Sequence, residues 1–482
     1  MISCLLREKL FDFCSAMKTP DGFVPLADYL SLREELENTK VVLFRALKKI
    51  DELEARLNKN SNNSSKPPSS DNYKKSIKNN REKGKRKPGG QPGHKGSGLS
   101  LFTEIDKTLE CKVEGKCECG KDLEKQKTIT IEKRQVIDLP EKPIEVRELH
   151  VEVKQCSCGK VHKGKTEYNQ GVQYGNKIKS FFVYLNTYQQ IPMNRLQEFA
   201  KDIFGLSISD GLIQSATGQC SLAIEKPLQQ IEQGLLEGEV MHVDETSARC
   251  ESKTSWLHSA SNLRFTLYFF HLKRGNEAMN AMGLLPVYKG TIVHDRWFSY
   301  YKYDCTHALC NAHLLRDLKF MHEEMNRKWA EKLKLKLQEA NDRKKSGTVT
   351  SYFIAKIKRE IKDIVTKAIK KEPKQENIVG KRGRKSKGKA ICLLEVFRDR
   401  INEVLLFLKR EEVPFDNNLA ERDLRMMKLK QKISGCFRTE KGVEIFCRIR
   451  SYISSVKKQS KNVWDALANA MNGKPTDLLN FH

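Results

Sequence analysis

Three acids in separate stretches are of the residue types that hold hard divalent cations. Asp244 ends the alternating run Glu239-Val-Met-His-Val-Asp-Glu-Thr246, which reads as a half-buried strand whose pattern breaks at an acidic pair. Asp295 ends a second strand-like run, Gly290-Thr-Ile-Val-His-Asp295-Arg-Trp297, in the same way. Glu421 lies one turn into Asp416-Asn-Asn-Leu-Ala-Glu421-Arg-Asp-Leu-Arg425, a predicted helix start with Asp416 as its N-cap. Mg²⁺ prefers carboxylate oxygens and keeps positions open for phosphate, so this set suits two-metal phosphoryl transfer on nucleic acid. Glu245 is expected on the opposite strand face, as a structural residue. Asp423 lies about 200° around the helix from Glu421.

The elements that must position these acids follow from the pattern around them. Trp256–Ala260 and Arg264–His271 read as two further strands, and a helix is expected around Asn276–Leu285, before the Asp295 strand. The order β-β-β-α-β places the first and fourth strands side by side in a ribonuclease H-like sheet. That adjacency brings Asp244 and Asp295 together, as two metals roughly 3.5–4 Å apart require.

Composition agrees with a polyanionic partner. Of 482 residues, 88 are Lys or Arg against 61 acids, a formal net charge of +27 and a pI of about 9.4. Apolar runs such as Leu267–Phe270 are far shorter than the ~18 residues of a membrane span, and charges interrupt the N-terminal stretch where a signal peptide would be apolar. A cytoplasmic, bacterial-type protein with no membrane association is expected.

Most of the 14 cysteines are scattered through apolar segments, as reduced buried cysteines are. The clustered ones are Cys117-Glu-Cys119-Gly and Cys156-Ser-Cys158-Gly, separated by strand-like runs at Thr128–Ile131 and Ile144–Val153. Two such knuckles joined by a hairpin predict a zinc-ribbon-like module with four thiolates on structural Zn²⁺. The spacing is Cys-x-Cys rather than Cys-x-x-Cys, so Cys111, His150 or His162 are alternative ligands, and unliganded reduced cysteines are the competing reading.

Ahead of this module, Leu36, Leu43, Ile50 and Leu57 recur every seven residues, with Leu32, Thr39, Ala46 and Leu53 four before each. A coiled-coil dimer is expected, against a helix packed on its own domain. Residues 58–100 contain Asn58–Asp71, with no large apolar residue, then a basic run including Lys85, Arg86 and Lys87. This predicts a disordered linker that follows a phosphate backbone or serves only as a tether. Residues 166–235 read as helical, and Ser209 or Asp210 would cap a helix over Gly211–Ile224, giving either a helix-turn-helix-like DNA-binding pair or a plain helical brace. Cys310 and His313 would share a helix face and serve packing or orient a site group. Arg422 and Arg425 would contact phosphate or pair across their own helix.

Taken together, His-Val-Asp244-Glu-Thr, His-Asp295-Arg-Trp, Cys310-Asn-Ala-His313-Leu-Leu-Arg-Asp, Asn417-Asn-Leu-Ala-Glu421-Arg-Asp-Leu-Arg and Gly435-Cys-Phe-Arg-Thr-Glu-Lys-Gly442 resemble the transposases of the insertion sequence 66 family. The Asn-Ser-rich linker, the Gly-Gly-Gln-Pro-Gly-His-Lys-Gly box and the cysteine knuckles resemble that family's N-terminal half, so the similarity runs from about residue 30 to 470. The resemblance implies an Asp-Asp-Glu triad of Asp244, Asp295 and Glu421. It also implies Mg²⁺ (or Mn²⁺), cleavage at transposon ends and attack of the freed 3′-hydroxyl on target DNA.

A helical insertion between the second Asp and the Glu is implied as well, here at about 320–405. Its basic stretch Lys381-Arg382-Gly-Arg384-Lys385-Ser-Lys-Gly-Lys389 would enter a DNA groove or stay solvated. Accessory proteins of the same element and a homodimeric or higher synaptic complex are expected with it. The expected organisation is a helical zipper at 1–57, a basic linker at 58–100, a zinc-ribbon-like module at 101–165, a helical DNA-binding region at 166–235 and an α/β, ribonuclease H-like catalytic domain at 236–482. The alternative reading is a catalytically inactive protein that binds transposon ends.

Overall fold

The computed structural model describes residues 26–59, 101–140, 142–168, 171–372 and 388–479. The basic linker around Lys85, Arg86 and Lys87, and the insertion loop with Lys381, Arg382, Arg384 and Lys385, lie outside the described residues.

The heptad segment forms one 32-residue helix, α1 (Leu26–Leu57). Leu32, Leu36, Leu43, Ile50, Leu53 and Leu57 are all exposed along it. In the cysteine region the only ladder among the described residues is β1 (Val153–Gln155) against β2 (Val161–Lys163). The strands expected at Thr128–Ile131 and Ile144–Val153 do not form a hairpin, and Ile129, Ile131 and Val146 face solvent. With no second face to cover it, their apolar alternation has nothing to pack against.

Four helices follow: α2 (Asn176–Val183), continued by a π turn at Tyr184–Tyr188, α3 (Met193–Phe204), α4 (Asp210–Ala223) and α5 (Glu225–Leu236). Ser209 caps α4 by accepting from the Leu212 N–H at 3.2 Å. Within α5, Gly234 admits the Phe265 ring, since a Cβ there would sit 2.2 Å from Cε2.

The sheet comprises β3 (Val240–Cys250), β4 (Lys253–Ser261), β5 (Thr266–His271), then, after α6 (Asn276–Met282), β6 (Thr291–His294) and β7 (Thr306–Leu309). Its order is β5-β4-β3-β6-β7, with β3–β4 and β4–β5 antiparallel and β3–β6 and β6–β7 parallel. The first and fourth strands are therefore neighbours, as expected from the element order. All four β6 residues are buried, as suits a parallel strand covered on both faces.

Between β7 and the Glu421 helix lie α7 (Asn311–Glu323), α8 (Lys328–Lys345), α9 (Ser351–Lys371), α10 (Lys389–Asp399), α11 (Ile401–Val404) and α12 (Leu406–Lys409). They share one core with Val293, Ala308 and Leu309. The chain closes with α13 (Asn418–Ser434), α14 (Glu440–Lys458) and α15 (Val463–Met471). A second core joins α4, α5, α14 and α15 to Met241, Val243 and Ile292. Helix α14 also shields the free edge of β5. Ser451 Oγ accepts from the Tyr268 N–H at 2.8 Å and Ser455 Oγ from the Thr266 N–H at 3.0 Å, so these edge amides are not left open for strand pairing. No helix among the described residues is long and apolar enough to cross a membrane.

Candidate functional site

Pairing between β3 and β6 runs only from Val240↔Thr291 to His242↔Val293, so β3 loses that neighbour just before Asp244. Asp295 directly follows the last residue of β6, and Glu421 sits in the first turn of α13, which packs across β3 and β4. Burial raises the Asp244 carboxyl well above the usual carboxylate range. The Glu245, Asp295 and Glu421 carboxylates add to the rise, and a 2.9 Å hydrogen bond from the Glu245 N–H opposes it. Three elements thus bring the three predicted acids within electrostatic reach of one another.

Each acid is fixed by its own surroundings. Asp295 Oδ1 accepts from the Trp297 N–H at 2.9 Å, across Arg296, whose φ of +68° is left-handed for a non-glycine residue. The Arg296 N–H donates to His294 Nδ1 at 3.0 Å and its guanidinium pairs with Asp317 of α7. Because His294 Nδ1 accepts, its Nε2–H points to His307 Nδ1 at 3.2 Å, and His307 Nε2–H is left to donate to the Tyr303 carbonyl at 3.3 Å. Burial pushes both imidazoles below their ordinary pKa, so this chain of bonds is built from neutral rings.

Around Glu421, Arg316 of α7 approaches Oε1 at 3.2 Å and His313 Nδ1 lies 3.7 Å from the same oxygen. His313 Nδ1 is 3.2 Å from the Cys310 thiol, which also accepts from the Asn417 N–H at 3.1 Å. Asn417, not Asp416, occupies the N-cap position, though no side chain caps the helix. Asp416 instead accepts from the Asn418 N–H at 3.0 Å, one residue out of the predicted register. The Asn417 side chain is turned inward, to His242 Nδ1 at 2.8 Å and, through Nδ2, to the Val243 carbonyl at 2.9 Å.

Glu245 lies on the strand face opposite Asp244, as expected, and is firmly held there. Its side chain is 2% exposed, and Arg274 holds Oε1 through Nη2 at 2.6 Å and Nε at 3.2 Å. Tyr300 donates its hydroxyl to the other oxygen. Burial raises the Glu245 pKa and the nearby Asp295 raises it further, against those two donors. Strand β3 stays paired with β4 to Cys250, so Asp244, opposite Ser259, and Glu245, opposite His258, keep to opposite faces of the strand. The Arg274 guanidinium is itself stacked between Trp297, 3.9 Å from the ring centre, and Trp256, at 4.6 Å. Arg274 and Tyr300 escaped the sequence reading, and Arg316 and Asn417, though they stand in the quoted motifs, were given no role there.

The cysteine pairs fold as two copies of one turn. In each, the first Cys N–H donates to the Lys carbonyl four residues on at 2.9 Å, and the Gly N–H donates back to the Cys carbonyl, at 2.7 Å for Cys117 and 2.8 Å for Cys156. Both glycines, Gly120 and Gly159, have φ of +85°. Within each pair the second cysteine's hydrogen bonds lower the pKa of the first, favouring thiolate at Cys117 and Cys156. All four thiols are exposed, and Cys117, Cys119, Cys156 and Cys158 do not gather into one four-ligand set. Among the described residues the only ligand atoms that group in threes, within 4.8 Å of one another, are those of Cys310, His313 and Glu421. Arg422 and Arg425 are exposed on α13, and neither joins an ion pair among the described residues, so the pairing expected across their helix does not form.

A family model described as a family of unknown function matches residues 26–100. Among curated proteins no match is found. The model of the family described as Transposase IS66 family matches residues 171–445, more than half of the chain and all three acids of the site. With that match come a role in transposition and, with it, DNA binding, in a family whose enzymes are typically metal-dependent: the chain belongs to the IS66 transposase family.

Proposed function

We propose that this transposase cleaves the ends of its element and joins the freed 3′-hydroxyl to target DNA, with Asp244, Asp295 and Glu421 as the ligands of two Mg²⁺ ions, for which Mn²⁺ can substitute. The observation that carries the proposal is that β3, the end of β6 and α13 bring three carboxylates within electrostatic reach of one another, where burial first, and then the Glu245, Asp295 and Glu421 charges, raise the Asp244 pKa well above the usual carboxylate range. Buried like charges of this kind fit a divalent cation, whose binding removes the repulsion. When bound, such a metal pair supplies Lewis-acid activation of the attacking oxygen and stabilisation of the leaving one.

The chain's own residues set the geometry. The Trp297 amide and the left-handed turn at Arg296 aim Asp295 back toward β3, and Asn417 fixes α13 to β3 so that Glu421 faces Asp244. Arg316 orients Glu421 through its contact with Oε1, and the Arg274–Glu245–Tyr300 set closes the side next to Asp295. The strand order and the helices between β7 and α13 support a ribonuclease H-like core with a helical insertion.

DNA contact is assigned to Arg422 and Arg425 on the outer face of α13, with Lys85, Arg86, Lys87, Lys381, Arg382, Arg384 and Lys385 adding backbone affinity. The exposed apolar seam of α1 supports dimerisation as a coiled coil, and the matched turns at Cys117–Cys119 and Cys156–Cys158 are two half-sites that a structural Zn²⁺ would have to draw together. The domain boundaries are proposed as 1–57, 58–100, 101–165, 166–235 and 236–482, in a cytoplasmic protein.

Cleavage and strand transfer on DNA carrying the element's own ends test the proposal, comparing wild type with Asp244→Asn, Asp295→Asn and Glu421→Gln. Each swap removes one anionic ligand at nearly constant size, so all three variants should bind DNA and perform neither step. Retained activity in any of them places the metal site elsewhere. A wild type that binds ends without joining them points to a required second protein of the element or to binding alone.

A further inference from the structure

The search for chemistry outside the carboxylate site leads to Cys310, the N-cap residue of α7, His313 in its first turn, and Glu421 on α13. Sulfur, nitrogen and carboxylate oxygen form the donor set of a soft to borderline metal rather than of Mg²⁺. A tetrahedral zinc with bonds of about 2.3 Å to sulfur and about 2.0–2.2 Å to nitrogen and oxygen separates S from N by about 3.6 Å and N from O by about 3.4 Å. Here Sγ to Nδ1 is 3.2 Å and Nδ1 to Oε1 is 3.7 Å, within a few tenths of those edges. The third edge is bounded, since all three atoms lie within 4.8 Å of one another.

The surroundings fit the same reading. The Asn417 N–H already points at Cys310 Sγ, the type of outer-shell bond that orients a thiolate ligand. Arg316 occupies Glu421 Oε1 and must yield to the metal or leave it Oε2.

We infer that Cys310, His313 and Glu421 form a second metal site that takes Zn²⁺, with Glu421 shared between this site and the Asp244–Asp295 pair. Binding joins the metal to Sγ, Nδ1 and a Glu421 oxygen and releases the Cys310 proton to solvent. A glutamate held by zinc is withdrawn from the carboxylate pair, which makes the site a brake on Mg²⁺-dependent chemistry. The site itself stands on three ligand atoms; only the braking consequence rests on the proposed function of Glu421.

Co²⁺ titration of the full chain tests this, with thiolate-to-cobalt charge-transfer absorption as the readout. The background carries Cys117→Ser, Cys119→Ser, Cys156→Ser and Cys158→Ser, all exposed positions, so that knuckle thiolates are silent. One equivalent of Co²⁺ should bind with a thiolate band. Cys310→Ser should abolish the band, and His313→Ala or Glu421→Gln should weaken binding by more than the ~10–100-fold that an outer-shell loss costs. Asp244→Asn and Asp295→Asn should leave the band unchanged, so a band lost in those variants means that cobalt sits in the carboxylate pair and the inference is wrong. No band in the background, or a band that survives Cys310→Ser, overturns it as well. Should Cys310→Ser misfold by circular dichroism, the Glu421→Gln result decides, since an unchanged affinity removes Glu421 from the site.

Discussion

His242 and Asn417, 175 residues apart in the chain, meet side chain to side chain at 2.8 Å in a buried position. Because Asn417 also donates to the Val243 carbonyl, this pair ties the N-terminus of the Glu421 helix to the strand that carries Asp244. The relationship makes Asn417 a positioning residue.

Asn417→Ala should cost about 1–3 kcal/mol of stability, the usual result of leaving buried polar partners unpaired. It should cost strand transfer about 10²-fold, because a shift of α13 on the scale of 1 Å misplaces Glu421. Denaturant unfolding and single-turnover assays on the same preparation check both. Activity within twofold of wild type would show that the pair is only structural.

Asp244→Asn should do the opposite to stability. The Asp244 carboxylate is held against its own charge by burial and three neighbouring acids, so removing that charge should raise the unfolding midpoint in chelator, by about 0.5–2 kcal/mol equivalent. Added Mg²⁺ should then stabilise the wild type and not the variant. A variant less stable than wild type without metal contradicts the electrostatic account.

The pH response follows from the buried histidines. Burial lowers the pKa of His242, His258, His294, His307 and His313, to about 4 for His258 and about 3 for His313. Depressed histidines contribute full stability above the unfolded value of about 6.5, and that contribution is lost as pH falls below it, because the unfolded chain binds more protons. Asp244, Glu245 and Glu232, whose folded pKa values are raised, act the other way, since acidification relieves their charge. Five histidines outweigh three carboxyls, so the metal-free chain should lose stability between about pH 6.5 and pH 5. Urea midpoints across that range check the sign; a rise on acidification would contradict it.

Mutating the α1 seam should dissociate the protein without touching the sheet. Leu36 and Leu43 are 49% and 37% exposed in the single chain, and Leu36→Lys with Leu43→Lys places charge where a partner helix would pack. Sedimentation equilibrium should show wild-type dimer or larger and a monomeric variant. A wild type that is monomeric at micromolar concentration removes α1 from assembly.

Much of the sheet was legible because its strands carry clear periodicities. The alternation ending at Asp244 and the apolar run ending at Asp295 gave the positions of β3 and β6, and the helix between gave their adjacency. The acidic pair was expected to mark the end of the strand, but β3 stays paired with β4 as far as Cys250, because the antiparallel partner satisfies its backbone after β6 stops. Asn417 and Arg274 act through partners far away in sequence, which no local pattern encodes. The Thr128–Ile131 and Ile144–Val153 runs had strand composition but find no partner face, and composition does not supply one.

The account's central claim is that Asp295 is a metal ligand, and a metal switch at that position tests it most directly. Asp295→Cys replaces a hard carboxylate with a thiolate that Mg²⁺ binds poorly and the more thiophilic Mn²⁺ accepts. Strand transfer by Asp295→Cys should fall by at least about 10²-fold in Mg²⁺ and recover substantially in Mn²⁺, with Asp295→Ala recovering in neither. Equal loss in both metals, or activity retained in Mg²⁺, would contradict the claim.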